Sequence, residues 1–410
     1  MSHKIAVPLH IRQLMALMEQ AGYECCAVGG CVRDSLLGVT PQDWDLCTSA
    51  RPEQTIACFA AAGCRTIPTG IRHGTVTVLW DGEPVEVTTY RIDGSYSDSR
   101  HPDAVTFTTA LEVDLSRRDF TINAMACRAD GVVIDLFQGQ QDLSLGRIRC
   151  VGNPRRRFEE DALRILRALR FASRLDFTLD TDTGLAAIAL RDRLREIAPE
   201  RIWHELTGLL AGKAAGRSLA EYFPVLQVVF PDELTLQGWR KGAGLLQNLS
   251  STVARLAMLL WQGSGLTESS ALEELGLRFC RMLRTQRQIK QQLSRLLWQL
   301  GQPVPQSMPQ LRRLAGVLGT ELSLNLAQLW CAVGQKEAGK RLESIVDQGE
   351  CVCIRQLAVT GKELQQLGFS KGPSLGKMLE WLLELVMEGK LENTKEALLA
   401  FAAAQQKKGC

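Results

Sequence analysis

The hydrophobic period of this chain changes once, near Val151, and that change limits the folds open to it. Before it, period-two apolar runs alternate with short helical stretches. After it, from Pro154 to Phe401, apolar residues recur at helical spacing in a background of Leu, Ala, Arg, Gln and Glu. Breaks are expected at Gly212–Gly216, Gly263–Gly265, Gly301–Pro309 and Gly368–Gly376, with no repeat of fixed period. The fold class that follows is α+β: a head with a small mixed sheet, then a long all-helical remainder. No stretch approaches about 18 uninterrupted apolar residues, so a membrane span is not expected. The first fifteen residues carry His3, Lys4, His10 and Arg12 where a signal peptide would have an apolar core, and a cytoplasmic location is the expectation.

Within the head, Ile11–Gly22, Val32–Leu37 and Pro52–Ala62 read as helices. Tyr23–Val28, Trp44–Cys47, Thr75–Trp80 and Pro84–Tyr90 read as strands, the last two joined by Asp81-Gly82, a strong hairpin signal. The 13 cysteines are odd in number and scattered, without a C-x-x-C pair, which points to reduced buried thiols and away from zinc or a disulfide framework.

Chemistry concentrates first in Val28-Gly29-Gly30-Cys31-Val32-Arg33, followed by Asp43-Trp44-Asp45. A strand ending in Gly-Gly and running into a helix exposes backbone N–H groups to an anion, and Arg33 adds a guanidinium in the first turn. Residues two apart on a strand share a face, so Asp43 and Asp45 are expected to point together while Trp44 points to the core. Two carboxylates so close call for a cation, and Mg²⁺ held by one or two carboxylates with substrate phosphates is the usual arrangement. In Val85-Glu86-Val87-Thr88 the valines share one face, leaving Glu86 free to act as a third acid if its strand adjoins that of Asp45; an exposed strand glutamate is the alternative.

Residues 155–174 are read as one helix with the apolar stripe Ala162, Ile165, Leu166, Leu169 and Ala172. Arg164, Arg167 and Arg170 fall on the opposite side, with Asp161 at the edge of that face. Arginines at every third position need anions, and a triphosphate or an RNA backbone supplies them. Asp161 and Arg164, three apart, form a carboxylate–guanidinium pair suited to the amine and ring nitrogen that cytosine and adenine share. Uracil and guanine place a carbonyl where that amine should be.

Gly29-Gly30-x-Val32-Arg33-Asp34-x-Leu36-Leu37-Gly38, Asp43-x-Asp45, Arg117-Arg118-Asp119-Phe120-Thr121-Ile122-Asn123-Ala124-Met125-Ala126 and Glu160-Asp161-x-x-Arg164 resemble, in order and spacing, the class II tRNA nucleotidyltransferases. The likeness is close over residues 25–205. Thr360-Gly361-Lys362, Gly368 and Glu388-Gly389-Lys390-Leu391 resemble the tail of the subgroup lacking an HD domain. The resemblance implies a polymerase-β-like nucleotidyltransferase head over 1–146 and a helical neck for base recognition over 147–212. It further implies a helical body over 213–275 and a tRNA-binding tail over 276–410. It also implies that Arg118, Arg167 and Arg170 bind the nucleotide, with Gly30 and Arg33 gripping the triphosphate. The expected substrates are tRNA, CTP and ATP, joined by two-metal transfer in which Asp43 and Asp45 hold Mg²⁺ ions about 3.5–4 Å apart.

Thr69-Gly70-Ile71-Arg72-His73-Gly74-Thr75 resembles the CCA-adding form, and the arginine-rich run of the poly(A) polymerases is missing. The segment Arg91–Asp103 resembles the family's flexible loop, which favours full CCA addition over CC-only addition; A-only addition and poly(A) synthesis remain alternatives. In a different class, a non-catalytic RNA-binding protein on the same fold would need neither Asp43 nor Asp45. Finally, the net charge of +3 hides two basic segments: 147–174 carries +6 and 275–320 carries +8, leaving −11 for the rest. Arg278, Arg281, Arg284, Arg287 and Lys290, the first four three apart as on a helix, are the candidate tRNA contacts.

Overall fold

The computed structural model describes residues 4–93 and 105–408. Most of the loop expected at 91–103 therefore lies outside the described residues. The chain divides into two compact units, one ending at Asp232 and the other beginning at Glu233.

The first unit opens with helix α1 (Leu9–Gln20), strand β1 (Cys25–Val28), helix α2 (Gly30–Leu36) and strand β2 (Leu46–Thr48). Helix α3 (Pro52–Ala61) and strands β3 (Arg65–Gly70), β4 (Thr75–Trp80) and β5 (Glu83–Thr89) follow. β6 (Arg91–Asp93) and β7 (Val105–Phe107) pair with each other, and helix α4 (Leu111–Ser116) comes next. β8 (Met125–Cys127) and β9 (Val133–Asp135) complete a sheet of order β3-β4-β5-β2-β1-β8-β9 among the described residues. The β4–β5 hairpin turns at Asp81 and Gly82, with φ of 49° and 88°, the doubly positive geometry that the Asp-Gly pair favours.

The sheet is covered on both faces. α1 and α3 lie on one, over Val76, Val78, Val85 and Val87. On the other, Leu111 and Leu115 of α4 pack with Cys26, Val28, Cys47, Tyr90 and Ala126. Burial pushes the Cys26 thiol up to about 12, so it stays protonated at neutral pH. The strand expected to begin at Trp44 begins at Leu46; Asp43 and Asp45 lie in the segment leading into it, and Trp44 is half-buried.

Helices α5 (Gly139–Ser144), α6 (Pro154–Glu160), α7 (Leu163–Leu175), α8 (Thr181–Ala189), α9 (Pro199–Ala211), α10 (Ala215–Glu221) and α11 (Phe223–Leu226) finish the unit, with a two-strand pair, β10 (Arg147–Ile148) and β11 (Thr178–Leu179). The single helix expected over 155–174 is two. Asp161 adopts φ −144° and ψ 104°, and its Oδ1 accepts the Leu163 amide at 3.0 Å. A short acceptor side chain competes with the helical backbone bond and starts a new helix, as at an N-cap. The apolar stripe is buried as expected, from Ala162 to Ala172. Arg164 is not on an open face: it is only 8% exposed.

The second unit is helical throughout its described residues. Its helices are α12 (Leu236–Leu245), α13 (Thr252–Ser264), α14 (Ser269–Met282), α15 (Arg287–Leu300), α16 (Met308–Leu318) and α17 (Thr320–Ala332). α18 (Lys336–Asp347), α19 (Gly361–Gln366), α20 (Pro373–Met387) and α21 (Lys395–Lys408) follow. α13 buries residues on every side (Ala254, Leu256, Ala257, Met258, Leu259 and Leu260), as a helix apolar all round must.

The glycines of α12 make a test of this packing. A Cβ at Gly238 would sit 2.1 Å from the Gln262 carbonyl oxygen, whereas one at Gly244 meets nothing within 4 Å. Ala in a helix is ordinarily favoured over Gly by about 1 kcal/mol. Gly244→Ala is expected to stabilise by up to about 1 kcal/mol, and Gly238→Ala to destabilise by about 1–3 kcal/mol. Urea titrations of the two variants measure both signs.

Candidate active site

The site begins at the turn between β1 and α2. Gly29 has φ 81° and ψ −122°, and its amide donates to the Met125 carbonyl at 3.1 Å. A Cβ there would lie 3.2 Å from Arg118 Nη1, so the bare backbone admits that guanidinium to the turn. Arg118 is steered from α4. Asp114, 1% exposed, accepts from Arg118 Nη2 at 3.2 Å and from Arg117 Nε and Nη2 at 3.0 and 2.8 Å. Arg118 Nε is buried without a hydrogen-bond partner among the described residues.

Arg33, one turn into α2, donates through Nε to Asp34 Oδ1 at 2.8 Å and through Nη1 to Asn123 Oδ1 at 2.7 Å. A Cβ at Gly30 would lie 3.7 Å from its Nη2, so the side chain folds back over the Gly-Gly turn.

The carboxylates lie on the sheet face that α4 partly covers. β1 pairs antiparallel with β2, and the Val28 amide donates to the Asp45 carbonyl at 2.9 Å, which puts Asp45 beside the turn. β2 runs parallel to β5 with Leu46 opposite Val87, so Asp45 is level with Glu86. Val85 and Val87 are buried and Glu86 is exposed on the other face, as the alternation requires. Crowding by surrounding protein raises the Asp45 carboxyl above the usual range, and Glu86 and Asp43 raise it further against the pull of Arg118. Asp43 and Asp45 both keep solvent access. Among the described residues no three His, Cys, Asp or Glu side chains form a group that could hold a metal ion, so Glu86 faces Asp45 without closing a three-carboxylate set.

The α6–α7 break supplies the rest. Asp161 Oδ2 accepts from Arg201 Nη2 at 3.4 Å. Arg164 is held separately: Nη1 donates to Glu160 Oε2 at 2.9 Å and Nη2 to the Arg117 carbonyl at 3.3 Å. The two expected base readers therefore adjoin across a turn instead of along one helix. Arg167 donates through Nε and Nη2 to Asp119 Oδ2 at 2.9 and 2.7 Å, and Arg170 through Nε to Glu205 Oε2 at 2.5 Å. Burial would raise the Asp119 carboxyl, but the Arg167 guanidinium outweighs it and holds the group below the usual range. Asn123 Nδ2 donates to Asp119 Oδ1 at 3.4 Å. A polar chain thus runs from Arg33 through Asn123, Asp119 and Arg167 to Glu205 and Arg170.

Three domain families match this chain: the poly A polymerase head domain at residues 25–149, the probable RNA and SrmB-binding site of polymerase A at 176–234, and the putative tRNA nucleotidyltransferase domain 2 at 268–402. The CCA-adding enzyme of Levilactobacillus brevis is 38% identical over 95% of this chain and 96% of its own. The chain belongs to the CCA-adding enzyme family. The Enterococcus faecalis CCA-adding enzyme is 37% identical, covering 99% of this chain and 97% of its own. A Bacillus stearothermophilus CCA-adding enzyme solved in complex with CTP superimposes with a TM-score of 0.73 at 31% identity, over 97% of this chain and 98% of that one. The Thermotoga maritima CCA-adding enzyme complexed with tRNA shares the fold, with a TM-score of 0.70 at 21% identity, 96% of this chain and 94% of that one.

Gly30, Arg33, Asp43, Asp45, Glu86, Arg118, Asp161, Arg164, Arg167 and Arg170 all lie in the first unit. Asp114, Asp119, Asn123 and Glu205, which hold the arginines, carried no assigned role in the sequence. Asp114 was legible as an acid three and four residues before Arg117 and Arg118; Glu205 had no local signal. In the second unit the spiral of arginines is interrupted. Arg278 and Arg281 end α14, Arg284 turns with φ 47°, and Arg287 and Lys290 begin α15. A left-handed residue stops the helix, so the spacing of three does not trace one face. Arg278 pairs with Glu233, Arg281 with Glu274, Arg312 with Glu350, and Arg313 with Glu384 and Glu388.

The Asp45 cluster has a consequence for stability. A carboxyl whose folded pKa exceeds its unfolded value destabilises the fold when ionised and ceases to do so as pH falls. Metal-free Asp45→Asn is therefore expected to melt higher than the parent at pH 8, with the gap closing as pH falls toward the ordinary 3.8. Melts in chelator at pH 8 and about pH 4 check this; a lower midpoint at pH 8 would mean that the attraction of Arg118 dominates.

Proposed function

We propose that this protein adds CCA to tRNA 3′ ends from CTP and ATP, choosing each base with its own side chains in place of a nucleic-acid template. The observation that carries the reading is Asp45 set beside the Gly29 turn, near Arg118 and with Asp43 close enough to raise its carboxyl, in a chain alike along its whole length to an enzyme solved with CTP. In the reaction the tRNA 3′-oxygen bonds to the α-phosphorus of the nucleotide, the α–β phosphoanhydride breaks, and pyrophosphate leaves with its bonding pair.

Hard carboxylate oxygens on Asp43 and Asp45, where crowding by protein and then repulsion from Glu86 and Asp43 raise the Asp45 carboxyl, suit Mg²⁺. Bound there, Mg²⁺ supplies the Lewis acidity that eases deprotonation of the 3′-hydroxyl and offsets charge on the departing pyrophosphate. Glu86 adds to the negative potential beside Asp45. Arg33 over Gly30, and Arg118, whose side chain keeps some solvent access, bind and orient the triphosphate. Arg167 and Arg170 extend that cationic lining.

Asp161 and Arg164 read the base. Asp161 keeps lone pairs beyond those used by Leu163 and Arg201. Arg164 uses three of its five donors, on Glu160 and the carbonyls of Arg157 and Arg117, and keeps Nε–H and one Nη2–H. A carboxylate accepting from an exocyclic amine beside a guanidinium donating to a ring nitrogen fits cytosine and adenine and opposes uracil and guanine. The tRNA backbone is met by the second unit, where Arg287 and Lys290 are exposed and have no acid partner among the described residues. The location that suits such an enzyme is the cytoplasm; no helix among the described residues is long and apolar enough to cross a membrane.

The deciding experiment incubates tRNA ending at its discriminator base with Mg²⁺ and each nucleotide, alone and mixed, and sequences the 3′ ends. CCA is expected; CC, A or a long A tail names a different enzyme, and no extension makes the chain a binding protein. Asp43→Ala is expected to abolish extension with tRNA affinity changed by less than about twofold. Asp161→Asn, which keeps an acceptor for the Leu163 amide, is expected to lose about tenfold or more of the rejection of UTP and GTP relative to its loss of kcat.

Salt dependence tests the second unit separately. Arg287→Gln and Lys290→Gln are each expected to reduce the slope of log affinity against log salt by roughly 0.7–0.9. Arg278→Gln, whose charge Glu233 already balances, is expected to change the slope less. Equal slopes for all three would separate these residues from the RNA.

A further inference from the structure

The Phe171 ring gathers three guanidiniums from two separate stretches of chain. Arg33 comes from α2, and Arg167 and Arg170 from α7; their Cζ atoms lie 5.3, 5.6 and 4.5 Å from the ring centroid. All three are within the range at which a cation is drawn to an aromatic quadrupole. The ring is 7% exposed and fixed from behind by Phe120, fully buried, with centroids 5.8 Å apart and planes at 77°. The Phe120 amide donates to Asp119 Oδ1 at 2.8 Å, so the residue that fixes the ring also orients the acid that takes Arg167.

Three acids serve the three cations: Asp34 pairs with Arg33, Asp119 with Arg167, and Glu205 with both Arg167 and Arg170. These carboxylates balance charge, but none touches all three arginines. The ring does. Three guanidiniums near one another repel even when paired, and an aromatic face lowers the energy of keeping them together without adding a further negative charge. A carboxylate in its place would compete with an incoming polyanion; a ring does not. An aliphatic side chain would fill the volume and supply no quadrupole.

We propose that Phe171 is a positioning residue for nucleotide binding, holding Arg33, Arg167 and Arg170 as one cationic cluster for the triphosphate and coupling α2 to α7. This rests on the reading that those arginines take the triphosphate. Order already present before binding reduces the side-chain freedom lost when the nucleotide arrives, so the effect belongs to binding and not to the chemical step.

The test uses the full chain. The KM for CTP and ATP, kcat with tRNA, and inhibition by inorganic triphosphate are measured for Phe171→Leu, Phe171→Tyr and protein carrying a trifluorinated ring at Phe171. Fluorination keeps the ring's shape while draining its negative face, so its result does not depend on whether Phe171→Leu folds. Phe171→Leu and the fluorinated ring are expected to raise both KM values and the triphosphate inhibition constant by about three- to thirtyfold, with kcat within about twofold and Phe171→Tyr near the parent. Unchanged binding with the fluorinated ring overturns the proposal, as does weaker CTP binding with unchanged triphosphate inhibition, which would make the ring a base contact. Arg33→Ala and Arg170→Ala separate the two layers: if neither weakens triphosphate inhibition, the underlying reading has failed; if both do and the ring variants do not, Phe171 alone is excluded.

Discussion

Strand β2 is three residues long, with β1 antiparallel on one side and β5 parallel on the other. That double pairing sets Cys26 opposite Cys47 and Leu46 opposite Val87, and so fixes which residues share a face. The Gly29 turn, Asp45 and Glu86 are brought to one level on one side of the sheet because of it. A slip of one residue would send Asp45 toward α1 and α3 and turn Leu46 to the acidic side. So short a strand holds its register through its neighbours: Cys26, Cys47 and Tyr90 pack beneath α4, and the Thr48 and Thr89 hydroxyls donate to the carbonyls of Glu24 and Ala50.

Around that sheet the arginines are governed by counting donors and acceptors. Asp114 serves Arg117 and Arg118, Asp119 serves Arg167, and Glu205 serves Arg170. Removing one buried acid would strand a guanidinium at greater cost than the pair contributes, since charge without a partner is what a low-dielectric interior penalises. The acids therefore shape the cationic lining as much as the arginines do.

The sequence made the head and the helical remainder legible because period and turn chemistry are local. The Asp81-Gly82 hairpin, the valines of β5 around Glu86, and the breaks at Gly212, Gly265 and Gly301 all follow from neighbours in the chain. The interruption at Asp161 was hidden because Ala162, Ile165, Leu166, Leu169 and Ala172 keep a helical period straight through it. A side-chain acceptor, not a change of pattern, stops α6. The arginine spiral after Leu275 failed for a related reason, since Arg284 takes a left-handed conformation that the spacing of three does not reveal. Acids outside the basic stretch also pair with it: Glu233 with Arg278, Glu274 with Arg281, Glu350 with Arg312, and Glu384 and Glu388 with Arg313.

Asp161 carries two duties. It ends one helix and starts the next, and in the proposed reaction it also inspects the base. Replacing it with a good helix former would fuse α6 and α7 and pull Arg164 from the place where Glu160 and the Arg117 carbonyl hold it. Altering nucleotide choice here by single steps would therefore disturb backbone and chemistry together. Variants with new base preferences should arise through compensated pairs, and this position should be among the slowest in the chain to drift.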